Sequence, residues 1–451
     1  MIQYFIQQLE KFIPIKILRV GFLFLSRSFH SLSSLIFSFI VGRLLTLEEH
    51  GLYSQYLARI VVFQAILEVG LQYSMIRYLS PAITKNKINE ISYLLRASLR
   101  IKFYAILLVL LICLYWMVEN FYGNVWNFHT GLFPIIASPF HLTNIWLVFL
   151  SAIGMSFFSY FDAILVSHKN YKILTFWIPI TGTTRIILLL IFFFWNKGVL
   201  QINHVLFCFM AGTFISWIFY FFAFDARIFL LPIQRKRVRY WINRLLKYNQ
   251  WIMLASFFAI LSDWMEILML KNQSDAGIFN AARIPMQGIV ILLTTMQSFI
   301  MPTMSQFTTS IEYKNYFKKL YIYIILLILL LIPLIFIGNW FIPFWFGEEY
   351  YQSLYVFWII FPSFLLRILF APLGTALFTL DQPVLIAIEA ALRMMGSFIL
   401  NFFLIPEYGV MGAAVSSLFS QFLGWFFLIY LFYYYFKFDK FPPFLEKIKA
   451  K

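Results

Sequence analysis

Twelve apolar stretches of bilayer-spanning length dominate this chain, at residues 20–43, 53–78, 102–118, 143–167, 173–195, 203–224, 250–272, 277–302, 319–340, 353–378, 383–404 and 412–436. A hydrocarbon core needs about 20 largely apolar residues per crossing, wound as a helix so that every backbone N–H and C=O is paired within the segment. Such long runs are inconsistent with the short alternating strands of a membrane barrel. Composition agrees: 62% of the residues are hydrophobic and 12% charged, against roughly 45–50% and about 25% in a soluble domain. The sequence therefore predicts an all-α polytopic membrane protein with about twelve transmembrane helices.

Lysine and arginine set its orientation, because basic loops stay on the cytoplasmic side. The N-terminal tail (Lys11, Lys16, Arg19), the loops of the same parity and the C-terminal tail carry 25 basic residues between them, with Lys102 counted in the loop after the second stretch. The opposite loops hold two, Lys197 and Lys271, and are otherwise acidic, with Glu48, Glu49, Glu119, Asp275, Glu348, Glu349 and Glu407. Both termini are accordingly expected in the cytoplasm. The net charge of +16 is a topology signal and requires no nucleic-acid partner. The basic cluster Arg235–Arg239 also suits anionic lipid headgroups. Cys113 and Cys208 lie in apolar stretches and suggest neither a disulfide framework nor a metal site.

A short repeat divides the chain. Glu49-His50-Gly51-Leu52-Tyr53 and Asp275-Ala276-Gly277-Ile278-Phe279 share the pattern acid, any, glycine, aliphatic, aromatic, half a chain length apart. Each precedes the second helix of a six-helix set, and the longest basic loop lies between the sets. The expected organisation is an N-terminal six-helix lobe at 1–224, a basic linker at 225–249, a C-terminal six-helix lobe at 250–436 and a basic tail at 437–451, with substrate bound between parallel repeats.

Eight basic residues remain in or at the edges of the spans, all arginine: Arg27, Arg43, Arg59, Arg77, Arg185, Arg283, Arg367 and Arg393. Burying one cation at helix centre costs about 2.5–3.5 kcal/mol on an insertion scale, so several together imply a polar cavity with a positive balance. Arg43 and Arg77 lie near helix ends and read as interfacial anchors. Glu389 and Arg393, four apart, read as a structural pair. Arg27 shares a helical stripe with Ser31, Ser34 and Ser38, and Arg283 shares one with Asn280, Gln287, Thr294 and Ser298. The candidate anionic-substrate residues are thus Arg27, Arg59, Arg185, Arg283, Arg367, Asn280 and Gln287, with Arg59 and Arg283 at matching depths in the two lobes. Guanidinium suits phosphate or carboxylate because its planar donors bind such oxygens in pairs and it stays protonated. Asp263 and Glu266 form the acidic pair of the seventh span. They suit either a coupling proton or sodium ion, or the balance of Arg283. No phosphate-cradling G-x-x-x-x-G-K-[ST] loop is present, which argues against direct coupling to nucleotide hydrolysis. The loop near 119–142 offers His129 and His141 with one acid, too little for a catalytic centre. No catalytic residue, metal or cofactor is expected. Pro179, Pro285, Pro333 and Pro362 interrupt helices and could act as bends or as static kinks.

Ser262-Asp263, the run Gly277-Ile278-Phe279-Asn280-Ala281-Ala282-Arg283, Pro302, and Asn401 through Ala414 (NFFLIPEYGVMGAA) together resemble the polysaccharide exporters of the multidrug, oligosaccharidyl-lipid and polysaccharide flippase superfamily, the O-antigen (Wzx-type) flippases. The resemblance implies a V-shaped, MATE-like pair of six-helix lobes that moves an undecaprenyl-diphosphate-linked oligosaccharide from the inner to the outer leaflet of the bacterial cytoplasmic membrane. Membrane lipids and other polysaccharide assembly proteins are the implied partners. The alternatives are a cation-coupled small-molecule exporter of the same superfamily and a membrane glycan polymerase.

Overall fold

The computed structural model describes residues 15–126, 142–168, 171–223, 234–304, 307, 309–380 and 382–437. The N-terminal residues before 15, His129 and His141, the linker residues before Gln234 and the tail beyond Lys437 lie outside the described residues. What is described is helical, without a strand: α1 (Ile15–Leu44), α2 (Leu47–Glu68), α3 (Leu71–Thr84), α4 (Ile88–Trp126), α5 (Leu142–Ser167), α6 (Tyr171–Trp195), α7 (Ile202–Ala223), α8 (Arg235–Met269), α9 (Gln273–Arg283), α10 (Gln287–Met304), α11 (Ser310–Leu331), α12 (Leu334–Phe346), α13 (Gln352–Thr379) and α14 (Pro383–Lys437).

Among the described residues eight helices are long and apolar enough to cross a membrane, and the bent pair α11 and α12 makes a ninth. Two shorter apolar helices, Ser28–Leu44 and Ile202–Ile218, cover the first and sixth stretches. The 55-residue α14 breaks at Gly409 (φ 55°, ψ −130°), which separates the last two stretches. Each of the twelve apolar stretches therefore falls on helix, and this is a helical membrane bundle.

Breaks occur where side-chain chemistry dictates them. Val69 and Gly70 both adopt left-handed φ between α2 and α3. Pro333, which cannot donate to a preceding turn, stands at the 41° bend between α11 and α12. Pro285 sits in a single 3-10 turn, Ile284–Met286, that joins α9 to α10. Pro179 and Pro362 are carried inside α6 and α13. Outward-facing Phe103, Leu111, Tyr323, Leu326 and Leu330 are exposed; in water they would form an aggregating patch, and in hydrocarbon they are an ordinary lipid-facing surface.

The chain divides into two compact units. Among the described residues, one contains those up to Ile40, those from Phe63 to Trp126 and those from Leu142 to Gln250; the other contains Val41–Val62 and the described residues from Trp251 onward. In the first, α5 and α6 pack on α7, and α3 packs on α5. Small residues set such approaches, as in other membrane bundles: a methyl on Gly154 of α5 would collide with Thr213 Oγ1 of α7, and one on Gly182 of α6 with Ser33 Oγ of α1. In the second, α13 packs against α9, α10 and α14, and an apolar cluster of Met304, Tyr313, Phe317, Leu377 and Phe432 closes one end.

The two pentapeptides meet inside this second unit. A methyl on Gly51 would fall 1.7 Å from the Gln273 carbonyl oxygen, and one on Gly277 would fall 2.5 Å from that of Leu47. Each glycine thus admits the backbone that opens the other helix, so α2 and α9 approach backbone to backbone at this point. His50, fully buried beside this crossing, joins Asn280 Nδ2 through Nε2 at 3.2 Å and Tyr350 Oη through Nδ1 at 3.2 Å. An amide nitrogen only donates, so Nε2 accepts and Nδ1 carries the proton toward Tyr350.

Candidate functional site

Charged side chains gather in the second unit because α8, α9, α13 and α14 each place a polar stripe inward. On α14 the spacing of four runs through Glu389, Arg393, Ser397 and Asn401, which keeps all four on one drifting face. Asp263 and Glu266, one turn apart on α8, meet that face. Arg283 closes the last turn of α9, where the carbonyl end of a helix favours a cation. Arg367 stands mid-way along α13, between Pro362 and Pro372.

The pairings are unequal. Asp263 is gripped by Arg367 through both carboxylate oxygens, Nη2 to Oδ1 at 2.5 Å and Nη1 to Oδ2 at 3.3 Å. Arg393 lies 3.7 Å from the same Oδ1, 2.7 Å from Glu389 Oε1, and donates to Gln421 at 3.3 Å. Gly424 lets the second arm of α14 close on this pair, since a methyl there would strike Glu389 Oε1 and Arg393 Cγ. Glu266, 2% exposed, accepts from Ser397 Oγ at 3.2 Å, and Ser397 accepts in turn from Asn401 Nδ2 at 3.0 Å.

Arg283 differs from its neighbours. Its guanidinium lies over the Trp264 ring, 4.0 Å from the centroid, within the field of Asp263, Glu266 and Arg367 but without an ion pair among the described residues. Among the described residues its buried Nη1 has no hydrogen-bond partner; Arg367 Nε and Arg393 Nε share that feature, but those two guanidiniums are ion-paired and Arg283 is not. A buried guanidinium donor left without an acceptor costs about 1–3 kcal/mol or more. The cluster as a whole sets three arginines against three carboxylates.

The sequence-derived candidates are only partly gathered here. Arg283, Arg367, Asp263 and Glu266 come together. Gln287, half-buried, begins α10 just after the 3-10 turn. Asn280 instead faces His50 at the helix crossing. Arg59 is buried in the second unit with its guanidinium 6.0 Å from the Tyr56 centroid. Arg185 belongs to the first unit, stacked 3.7 Å over Phe209. The backbone of Arg27 lies in α1, and its side chain is outside the described residues. Glu389 and Arg393 form the expected four-apart pair.

Three features escape a reading of the sequence. Ser397 and Asn401 extend the α14 stripe that Glu389 and Arg393 begin, a signal present at spacing four. His50 could be found only through its place inside the repeated pentapeptide. Lys102 corrects an assignment: it is not a loop residue, because α4 starts at Ile88 and carries it well into the helix. It is 2% exposed, donates to Ser156 O at 2.9 Å, Ser156 Oγ at 2.6 Å and Leu67 O at 3.4 Å, and lies near the Phe157 and Tyr160 rings. A cation at the carbonyl end of α2, just before the Val69–Gly70 break, is electrostatically well placed.

Residues 19–308 match the family model described as polysaccharide biosynthesis protein. This chain belongs to that family. Among solved structures, the family member is similar to a mutant of the Vibrio cholerae MATE transporter VcmN (14% identity, TM-score 0.61, covering 92% of this chain and 95% of that one). It is also similar to the lipid II flippase MurJ in an inward closed conformation (13%, 0.61, 90% and 86%). A third is a MOP superfamily transporter from Pyrococcus furiosus, whose description notes a binding pocket of reverse polarity (13%, 0.57, 91% and 94%). At these identities the likeness establishes a MATE-like helical fold. Among curated proteins no match was found.

Proposed function

We propose that this protein is a flippase that carries an undecaprenyl-diphosphate-linked oligosaccharide, an O-antigen or similar surface-polysaccharide repeat unit, from the inner to the outer leaflet of the bacterial cytoplasmic membrane. The polysaccharide biosynthesis family supports the glycan, and the MATE-like fold, shared with a lipid II flippase, supports transport of a lipid-linked cargo. One observation carries the anionic headgroup: Arg283 has a buried donor without an acceptor, while Arg367 and Arg393 are already neutralised by carboxylates. In this reading a diphosphate oxygen completes Arg283, and Asp263 with Arg367 holds the neighbouring charge in place. Export of net negative charge is favoured by an inside-negative potential, about 2.3 kcal/mol per charge per 100 mV.

Expression of Arg283→Ala and Arg283→Lys at wild-type levels in a strain lacking the chromosomal gene tests this. Surface glycan should fall at least about tenfold in Arg283→Ala, the loss of one charge-assisted contact, with lipid-linked glycan accumulating on the inner leaflet. Arg283→Lys should retain an intermediate level, because an ammonium keeps the charge but not the planar donor pair. Normal surface glycan in Arg283→Ala would sink the assignment.

A further inference from the structure

The first unit carries a basic site of its own, which shares no residue with the cluster described above. The first turns of α4 and of α8 together line a cavity of about 520 Å³, with Lys87, Arg237 and Arg244 set against a single acid, Glu90. Lys87 and Glu90 pair with each other at 3.2 Å and cancel. Arg237 and Arg244 have no ion pair among the described residues. Arg244 is held by rings instead: its guanidinium lies 4.9 Å from the Tyr78 centroid and 5.2 Å from that of Trp241, and Nη1 donates to Tyr240 Oη at 3.0 Å. Ring contacts fix a guanidinium without cancelling its charge, so the remaining donors of Arg244 stay oriented for a second partner. The amino ends of α4 and α8 add partial positive charge to the same space.

The surroundings indicate where that partner comes from. Before the apolar span, α8 is amphipathic, burying Val238, Trp241 and Leu245 and exposing Arg235, Lys236, Arg239 and Lys247 along with Arg237 and Arg244 themselves, so the cavity opens at the surface. Tyr240 and Trp241 supply the aromatic rings typical of headgroup depth, in the basic segment that the charge pattern of the sequence assigns to the cytoplasmic side. We propose that this cavity binds the phosphate group of an anionic lipid headgroup, with Arg237 and Arg244 as its donors and Glu90 as the group that limits its affinity. The binding claim does not require the transport assignment above to hold.

Binding of dihexanoyl phosphatidylglycerol, of a polyprenyl diphosphate and of inorganic phosphate to the purified full chain in neutral detergent tests it. The Arg237→Gln/Arg244→Gln double variant should weaken binding of a lipid probe at least about tenfold, given two basic side chains at an anionic headgroup. Lys247→Gln, on the same helix but outside the cavity, should leave it unchanged. Glu90→Gln should tighten it, since Lys87 is then freed; this gain of affinity cannot arise from misfolding. If phosphatidylglycerol shows the pattern, the source is a resident phospholipid; if only the polyprenyl diphosphate does, the cavity receives a lipid-linked substrate. Either result supports the proposal. Equal affinity of both lipids for all variants would overturn it, as would inorganic phosphate binding as tightly as the lipids.

Discussion

A single residue such as Lys102 illustrates how the membrane interior handles charge. Its ammonium exhausts its three donors on Ser156 O, Ser156 Oγ and Leu67 O, so it anchors the broken end of α2 and is not free for cargo. Lys102→Met should therefore leave these acceptors unpaired and lower stability by about 2 kcal/mol, the usual size of a hydrogen bond to a charged group with its desolvation penalty. A thermal melt of the purified variant in detergent would register this, and an unchanged midpoint would mean that the contacts contribute nothing net. Arg283 is the converse case. It has a ring beneath it and a donor without an acceptor, which is why its substitution is predicted to act on transport.

Helix crossings are governed by what is missing from them. At the contact of α2 with α9, Gly51 and Gly277 each meet the other helix's opening backbone, and neither contact can be relieved by a side-chain rotation. Gly51→Ala and Gly277→Ala should each cost about 1–3 kcal/mol, the range for overpacking a filled site. The double variant should cost less than the sum, because one separation of the helices accommodates both methyl groups. Strict additivity in denaturation measurements would show that the two glycines do not share a contact. Moving α2 from α9 would also disturb the His50, Asn280 and Tyr350 hydrogen bonds, so the loss should exceed that of a methyl added at Gly288, where the structure leaves open space.

For the whole molecule the testable quantity is orientation. A thiol reagent that cannot cross the membrane should label Glu349→Cys from outside intact spheroplasts, and label Lys236→Cys only after the membrane is opened; labelling from the same side would refute the alternation of basic and acidic loops. Both native cysteines, Cys113 and Cys208, are buried, which keeps the background low. The helical membrane class, and that each apolar stretch lies on helix, were legible in the sequence, because solvation by hydrocarbon forces backbone pairing within each segment and apolar length reports it. The four-apart pairing of Glu389 with Arg393 was legible too, since helical geometry brings such residues together whatever surrounds them. Tertiary structure alone decided that Asp263 is claimed by Arg367 and Arg393 while Arg283 keeps an open donor, and that Asn280 turns to His50. It also decided that Lys102 is interior and that two basic segments distant in sequence line one open cavity. These outcomes depend on which helices become neighbours and at what height, and a charge in the sequence carries no mark of the partner that packing will bring to it.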